Sequence, residues 1–182
     1  SSPIDAVLRG YAEAEGEDEA AKWVRSAWVA PRLSPLLATA AEAADASLAS
    51  LANVLITFVR GPEFAPLARA DAAARQPLHL VCAGPWVEFC NHISESQTHL
   101  CGAGMPATFH AAYLALHDGM HTLEASMPPS MAHRLRSHPA TAAVQRKFNL
   151  PIYFQLRLQE ITKPLEMTLA ESDKAIQKKG EG

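Results

Sequence analysis

Cysteine and histidine carry the widest chemistry in this chain. The stretch "CNHISESQTHLC" sets Cys90, His92, His99 and Cys101 in a symmetric group of zinc-competent donors. Known zinc sites separate the ligands at each end by two to four residues, whereas here each Cys and His pair is separated by one. Scattered loop and core residues are therefore the expected outcome, with no metal. His117 and His121 stand four apart on one helical face, with His110 one or two turns earlier. The glutamate of the helical metalloprotease signature is missing, so histidines on a helix flank are the plainer reading. "GAGMPA" supplies Gly102, Gly104 and Ala107, the letters of a dinucleotide fingerprint. That motif works only after an apolar strand that opens a βαβ unit, and "SESQTH" is no such strand. No nucleophile elbow, phosphate loop or paired-carboxylate motif is present, and no cofactor is implied. The basic residues His133, Arg134, Arg136, His138, Arg146 and Lys147 read as a solvated face or as a docking patch for an acidic helix or anionic lipid.

The elements that would position these residues are helical. Of 182 residues, 48% are hydrophobic and 19% charged, a globular balance, while aromatics make up only 7% and alanine is abundant. A net charge of -3 gives no global basic field for nucleic acid or acidic lipid. Three cysteines are an odd, sparse set that points to a reducing compartment and not to a disulfide framework. The longest uncharged run, 46–59, falls short of the ~20 residues that span a bilayer and reads as a core helix. The chain opens without methionine and is read as a processed or excised piece of a longer protein.

Periodicity predicts a series of helices. Ile4, Val7, Leu8 and Tyr11 share a face, and the acidic run 13–19 forms a loop that feeds the next helix. That helix carries Trp23, Val24, Ala27 and Trp28 and ends at Pro31. "RLSPLL" opens a long helix that continues to Arg60, with Leu48, Leu51, Leu55 and Phe58 as its buried seam. Pro77 and Pro85 read as first-turn prolines, and a short strand at 78–82 has no partner to pair with. After the 94–106 loop, Phe109, Tyr113, Leu116, Met120 and Leu123 mark the clearest helix, which "SMPPS" stops. Ser137 is the expected cap of a short helix that runs to Phe148, and Asn149 caps the next. The last helix, from Ile152, repeats Phe154, Leu158, Ile161, Leu165 and Leu169 at heptad-like spacing, with Pro164 as a kink site and a frayed tail. The expected fold is all-α, a multi-helix bundle in a single domain over 1–182, with a sub-boundary at 94–106.

The final third of the chain holds one long, distinctive pattern. Phe109, His110 and Tyr113 form a Phe-His-x-x-Tyr helix, and Leu135, Arg136, His138 and Pro139 a Leu-Arg-x-His-Pro element. Lys147, Phe148, Leu150, Pro151, Tyr153, Phe154, Gln155, Arg157, Glu160 and Ile161 complete a Lys-aromatic-x-Leu-Pro-x-Tyr-Phe-Gln-x-Arg-x-x-Glu-Ile block. This pattern over 109–166 resembles the subunit 2 family of the conserved oligomeric Golgi complex. Earlier in the chain only "AAKWVRSAWVAPRL" is alike.

The resemblance implies an elongated bundle of the helical-rod tether type and a non-enzymatic scaffold in intra-Golgi retrograde transport. It implies peripheral association with the cytosolic face of Golgi membranes. The implied partners are other subunits of that complex, together with SNAREs, Rab GTPases and coiled-coil tethers. No sustained heptad array matches the family's N-terminal coiled coil, so the likeness is to its interior and C-terminal region. The family motif carries no catalytic or ligand-binding residue, so its members here are expected to be packing residues. These are Phe109, Tyr113, His138, Pro139, Leu150, Pro151, Tyr153, Phe154, Arg157, Glu160 and Ile161. Tyr153, Phe154 and Leu158 in particular are expected as core anchors, on a helix buried more than halfway round. The docking patch would be His133, Arg134, Arg136, Arg146 and Lys147. Two other readings stay open: a helical domain of an exocyst or Golgi–ER retrieval tether, and a Cys/His metal-binding helical enzyme.

Overall fold

The computed structural model describes residues 6, 10–11, 13–73 and 77–180; Ile4, Val7 and Leu8, the expected first helical face, lie outside them. The described residues form helices and connecting turns with no strand among them, an all-α bundle. Residues 13–15 are helical, not looped, and Gly16 interrupts them with a φ of 93°, a conformation glycine adopts without strain. Helix α1 (Glu17–Val24) then begins with Glu17, Asp18 and Glu19, carboxylates that suit the positive end of the helix dipole.

Helix α1 does not stop at Pro31. A π-helical turn (Arg25–Val29) joins it to α2 (Ala30–Ala41), and the wider turn lets the chain pass a proline that has no N–H to donate. A second π-turn (Cys82–Trp86) contains Pro85 and leads into α5 (Val87–Ser96). Pro85 is therefore not a first-turn proline, because the helical backbone already starts at Leu80. The two π-turns pack on each other: a Cβ on Gly84 would lie 3.2 Å from Val29 Cγ2.

The expected long helix from "RLSPLL" to Arg60 is two helices. The chain bends over 42–47, and α3 (Leu48–Arg60) starts at a capping box. The Ser50 N–H donates to Ser47 Oγ at 3.2 Å, and the Ser47 N–H donates to Ser50 Oγ at 3.0 Å. Serine stands where the more usual Glu or Gln would be, so periodicity alone did not show the break. The seam itself is as expected, with Leu48, Leu51, Leu55 and Phe58 buried. After α4 (Ala65–Ala73) the buried Asp71 anchors the return of the chain. It accepts the Leu78 N–H at 2.5 Å and the Leu80 N–H at 2.6 Å, across His79 at φ 55°.

A 3₁₀ turn (Thr98–Cys101) precedes α6 (Pro106–Glu124), which lies along α3. Gly119 faces Ala52 so closely that an added Cβ would sit 3.1 Å from the alanine Cβ. Helices α7 (Pro129–Ser137), α8 (Pro139–Lys147) and α9 (Leu150–Gly180) follow, separated by prolines and by Asn149. One contiguous core runs from Val24 to Phe148, and Leu100 and Cys101 belong to it. The backbone of α9 continues through Pro164 to Gly180.

One buried relay ties three of these elements together. Trp86 Nε1–H donates to Thr141 Oγ1 at 2.7 Å, and the Thr141 hydroxyl donates to the Leu135 carbonyl at 2.7 Å. Leu135 lies in the last turn of α7, and the residue four positions on is Pro139, which has no N–H. Thr141 supplies the missing donor. Thr141→Val keeps the shape but leaves two buried polar groups unpaired, so it is expected to cost about 1–3 kcal/mol. A lowered urea midpoint with unchanged slope is the expected measurement.

Candidate interaction surfaces

The metal-like constellation does not assemble. Cys90 and His92, two residues apart on α5, point about 200° away from each other around the helix. Cys101 is buried and His99 is exposed on the 3₁₀ turn. Among the described residues, no group of three or more His, Cys, Asp and Glu side chains is placed to hold a metal ion. Burial pushes the Cys101 thiol up to about 11 and the Cys82 thiol up to about 12, and raises Cys90 as well. Buried protonated thiols are neither nucleophiles nor ready metal ligands. "GAGMPA" follows the 3₁₀ turn, with no strand before it, and leads into α6 at Pro106.

The motif residues divide into an anchored half and an exposed half. Phe109 is buried at the start of α6 and stacks on Tyr153 of α9 at 4.7 Å between centroids. Phe148 meets Phe109 edge-on at 5.4 Å and Tyr113 at 5.6 Å. Leu150, Tyr113 and Tyr153 are half-buried around this aromatic cluster, while Pro139 and Pro151 are exposed at the helix starts. Asn149 Oδ1 accepts the Ile152 N–H at 3.2 Å, the expected cap. Ser137 is not the cap of α8; its hydroxyl donates back to the His133 carbonyl at 3.0 Å. His138 takes that role, its Nδ1 accepting the Ala140 N–H at 3.1 Å. The histidine of the Leu-Arg-x-His-Pro element is thus a helix cap.

Beyond Tyr153 the expectation of a helix buried more than halfway round is overturned. Phe154 is 63% exposed, and Leu158 and Ile161 are comparably open. Arg157 and Glu160 are exposed and pair with each other at 2.6 Å. Apolar periodicity reports that a helix has a sticky face, not which surface meets it. Here α9 packs on α6 through Tyr153 near its start.

The five docking-patch residues are all exposed, but they form separate groups. His133, Arg134 and Arg136 lie on α7, and Arg146 and Lys147 close α8, where cations suit the negative end of the dipole. Arg136 is committed to a fork on Glu124, at 2.6 and 2.7 Å, which staples α7 to the end of α6. Arg134 and Arg25 both lie near enough to His138 for their charges to act on it, although over a hundred residues separate the two arginines in sequence. Burial first, then the charges of Arg25 and Arg134, lower the pKa of His138. Burial likewise lowers His79 and His92.

The chain is 34% identical over 87 residues to human conserved oligomeric Golgi complex subunit 2; the match covers 47% of this chain and 12% of that protein. The matched segment thus spans about an eighth of the length of that curated relative. No family model and no solved structure matches the chain.

The cap needs neutral His138, since a protonated Nδ1 cannot accept. With folded pKa values below 6.5, His138, His79 and His92 give full stability above the unfolded value. That stability is lost as pH falls through the folded values. Asp71, raised mainly by burial, acts in the opposite sense. The thermal midpoint is therefore expected to fall between pH 7 and pH 5 less steeply in His138→Asn, which keeps a cap without titrating. Equal slopes in the two proteins would rule out the histidine cap. Phe154→Ala is expected to shift stability by no more than about 0.5 kcal/mol. Phe109→Ala, in the buried cluster, should cost about 3–5 kcal/mol in the same denaturation assay.

Proposed function

We propose that this chain is a non-enzymatic helical scaffold of a Golgi vesicle-tethering complex, a counterpart of part of the oligomeric Golgi complex subunit 2. The sequence identity to the human subunit carries the reading. The packing supports it, since the shared motif residues act as a helix cap, an aromatic joint and an exposed helix face. None of those roles is chemical. In this reading residues 1–182 are one helical unit of a longer rod, held peripherally on the cytosolic face of Golgi membranes through other subunits. No helix among the described residues is long and apolar enough to cross a membrane. SNAREs, Rab GTPases and coiled-coil tethers are the further partner classes that such a scaffold would present to incoming vesicles.

The patch is proposed as a docking rim for an acidic partner surface, with Arg134 and Lys147 as its available charges. Arg136 is left out because Glu124 neutralises it. Rim charges act mainly on association rate and are screened by salt, over a Debye length of ~8 Å at physiological strength. The tagged chain is expected to co-precipitate subunits of the oligomeric Golgi complex from cells. Arg134→Glu/Lys147→Glu should weaken that capture through a slower, salt-sensitive on-rate, with an unaltered circular dichroism spectrum. Absence of those subunits from the wild-type precipitate would overturn the tethering reading. Retention by the double variant at wild-type level would make the patch an ordinary solvated face.

A further inference from the structure

Helix α9 holds an apolar stripe that the bundle does not cover. Phe154, Leu158, Ile161, Leu165 and Leu169 are each between 59% and 64% exposed. At 100° per residue they fall within an arc of about 80°, turned about 120° from Tyr153, which seats the helix on Phe109. The stripe therefore faces away from the bundle.

The edges of the stripe indicate what covers it. Interfacial membrane helices carry lysine and arginine beside their apolar face. Here one edge holds Arg157, Pro164 and Thr168, and the other holds Gln155, Thr162, Glu166 and Asp173. These edges are nearly neutral, and the whole chain is net negative at -3, which does not favour an anionic lipid surface. The stripe is instead complementary to itself. Reversed about a point between Ile161 and Thr162, it sets Phe154 against Leu169 and Leu158 against Leu165, with no charge in the seam. Like edges meet in that arrangement, so Arg157 faces Pro164 and Thr168 while Glu166 faces Gln155 and Gln159. No like charges come together. Each bundle, attached at Tyr153, lies at the opposite end of the pair from the other.

We propose that α9 is a self-association helix through which two copies of this chain pair antiparallel along the 154–169 stripe. The pairing is independent of the tethering reading. Sedimentation equilibrium of the 182-residue chain from about 1 μM to about 100 μM, the range that brackets a micromolar dissociation constant, tests it. The expected result is a reversible monomer–dimer equilibrium, abolished across that range in Leu158→Glu/Leu165→Glu. Both leucines are exposed, so the variant should keep the wild-type circular dichroism spectrum and thermal midpoint at the lowest concentration. For direction, Phe154→Cys/Leu169→Cys should form an interchain disulfide dimer under mild oxidation, and Phe154→Cys alone should not. A monomer at every concentration would overturn the proposal, as would assemblies that the glutamates leave intact. Stripe-dependent binding of monomers to phosphatidylserine vesicles, without dimerisation, would show a membrane as the occupant and overturn it equally.

Discussion

The hydroxyl of Thr141 is the point on which the carboxyl-terminal half of the bundle depends. It accepts a hydrogen bond from the indole N–H of Trp86 and donates its own to the Leu135 carbonyl, so the second π-turn, α7 and α8 meet at one oxygen atom. The arrangement follows from the proline at 139. A proline there turns the chain sharply between α7 and α8 but strips the end of α7 of a backbone donor in a place closed to water. An unmet carbonyl in the interior would favour fraying of α7, and Trp86 would lose the only acceptor it has among the described residues. The relay therefore sets the angle at which α8 returns, and with it the position of Phe148 under Phe109 and Tyr113.

Prolines at the π-turns act in a different way. Pro31 and Pro85 each lie in or just beyond a π-turn, and the two turns are neighbours, with Gly84 giving Val29 room. The widened turns absorb the missing hydrogen bonds without ending the helices, so the chain keeps its direction while shifting its faces. Close approach of small residues recurs where Gly119 meets Ala52. Glycine thus lets the chain approach closely at these two places, while a core rich in leucine and phenylalanine fills the bundle.

These constraints bear on what the surface can do. The bundle buries its thiols, separates its histidines and ties up Arg136, which removes most of the chemistry that the residue types suggest. It leaves two features outward: the exposed charges of Arg134 and Lys147, and the apolar stripe of α9. Both suit contact with other protein surfaces. A helix anchored at one end by a stacked tyrosine leaves its 154–169 stripe exposed.

The sequence by itself determined that the chain is helical, because step-of-three-and-four apolar spacing and abundant alanine act within a single turn. It also determined the buried seam of α3, the Asn149 cap and the stop at "SMPPS", all local signals. It could not determine the split before α3, since a serine pair served where an acidic residue is the usual mark. Nor could it show the passage of helix through Pro31, since a π-turn has no residue signature. Only the tertiary structure decided which faces are shared: that Phe109 takes Tyr153 and leaves Phe154 in solvent, that Arg136 belongs to Glu124, and that Arg25 and Arg134 both act on His138. The reason is physical. Helix formation is governed by neighbours a few residues away, whereas burial and charge pairing are governed by whichever distant residues the π-turns and the turn at Pro139 bring close.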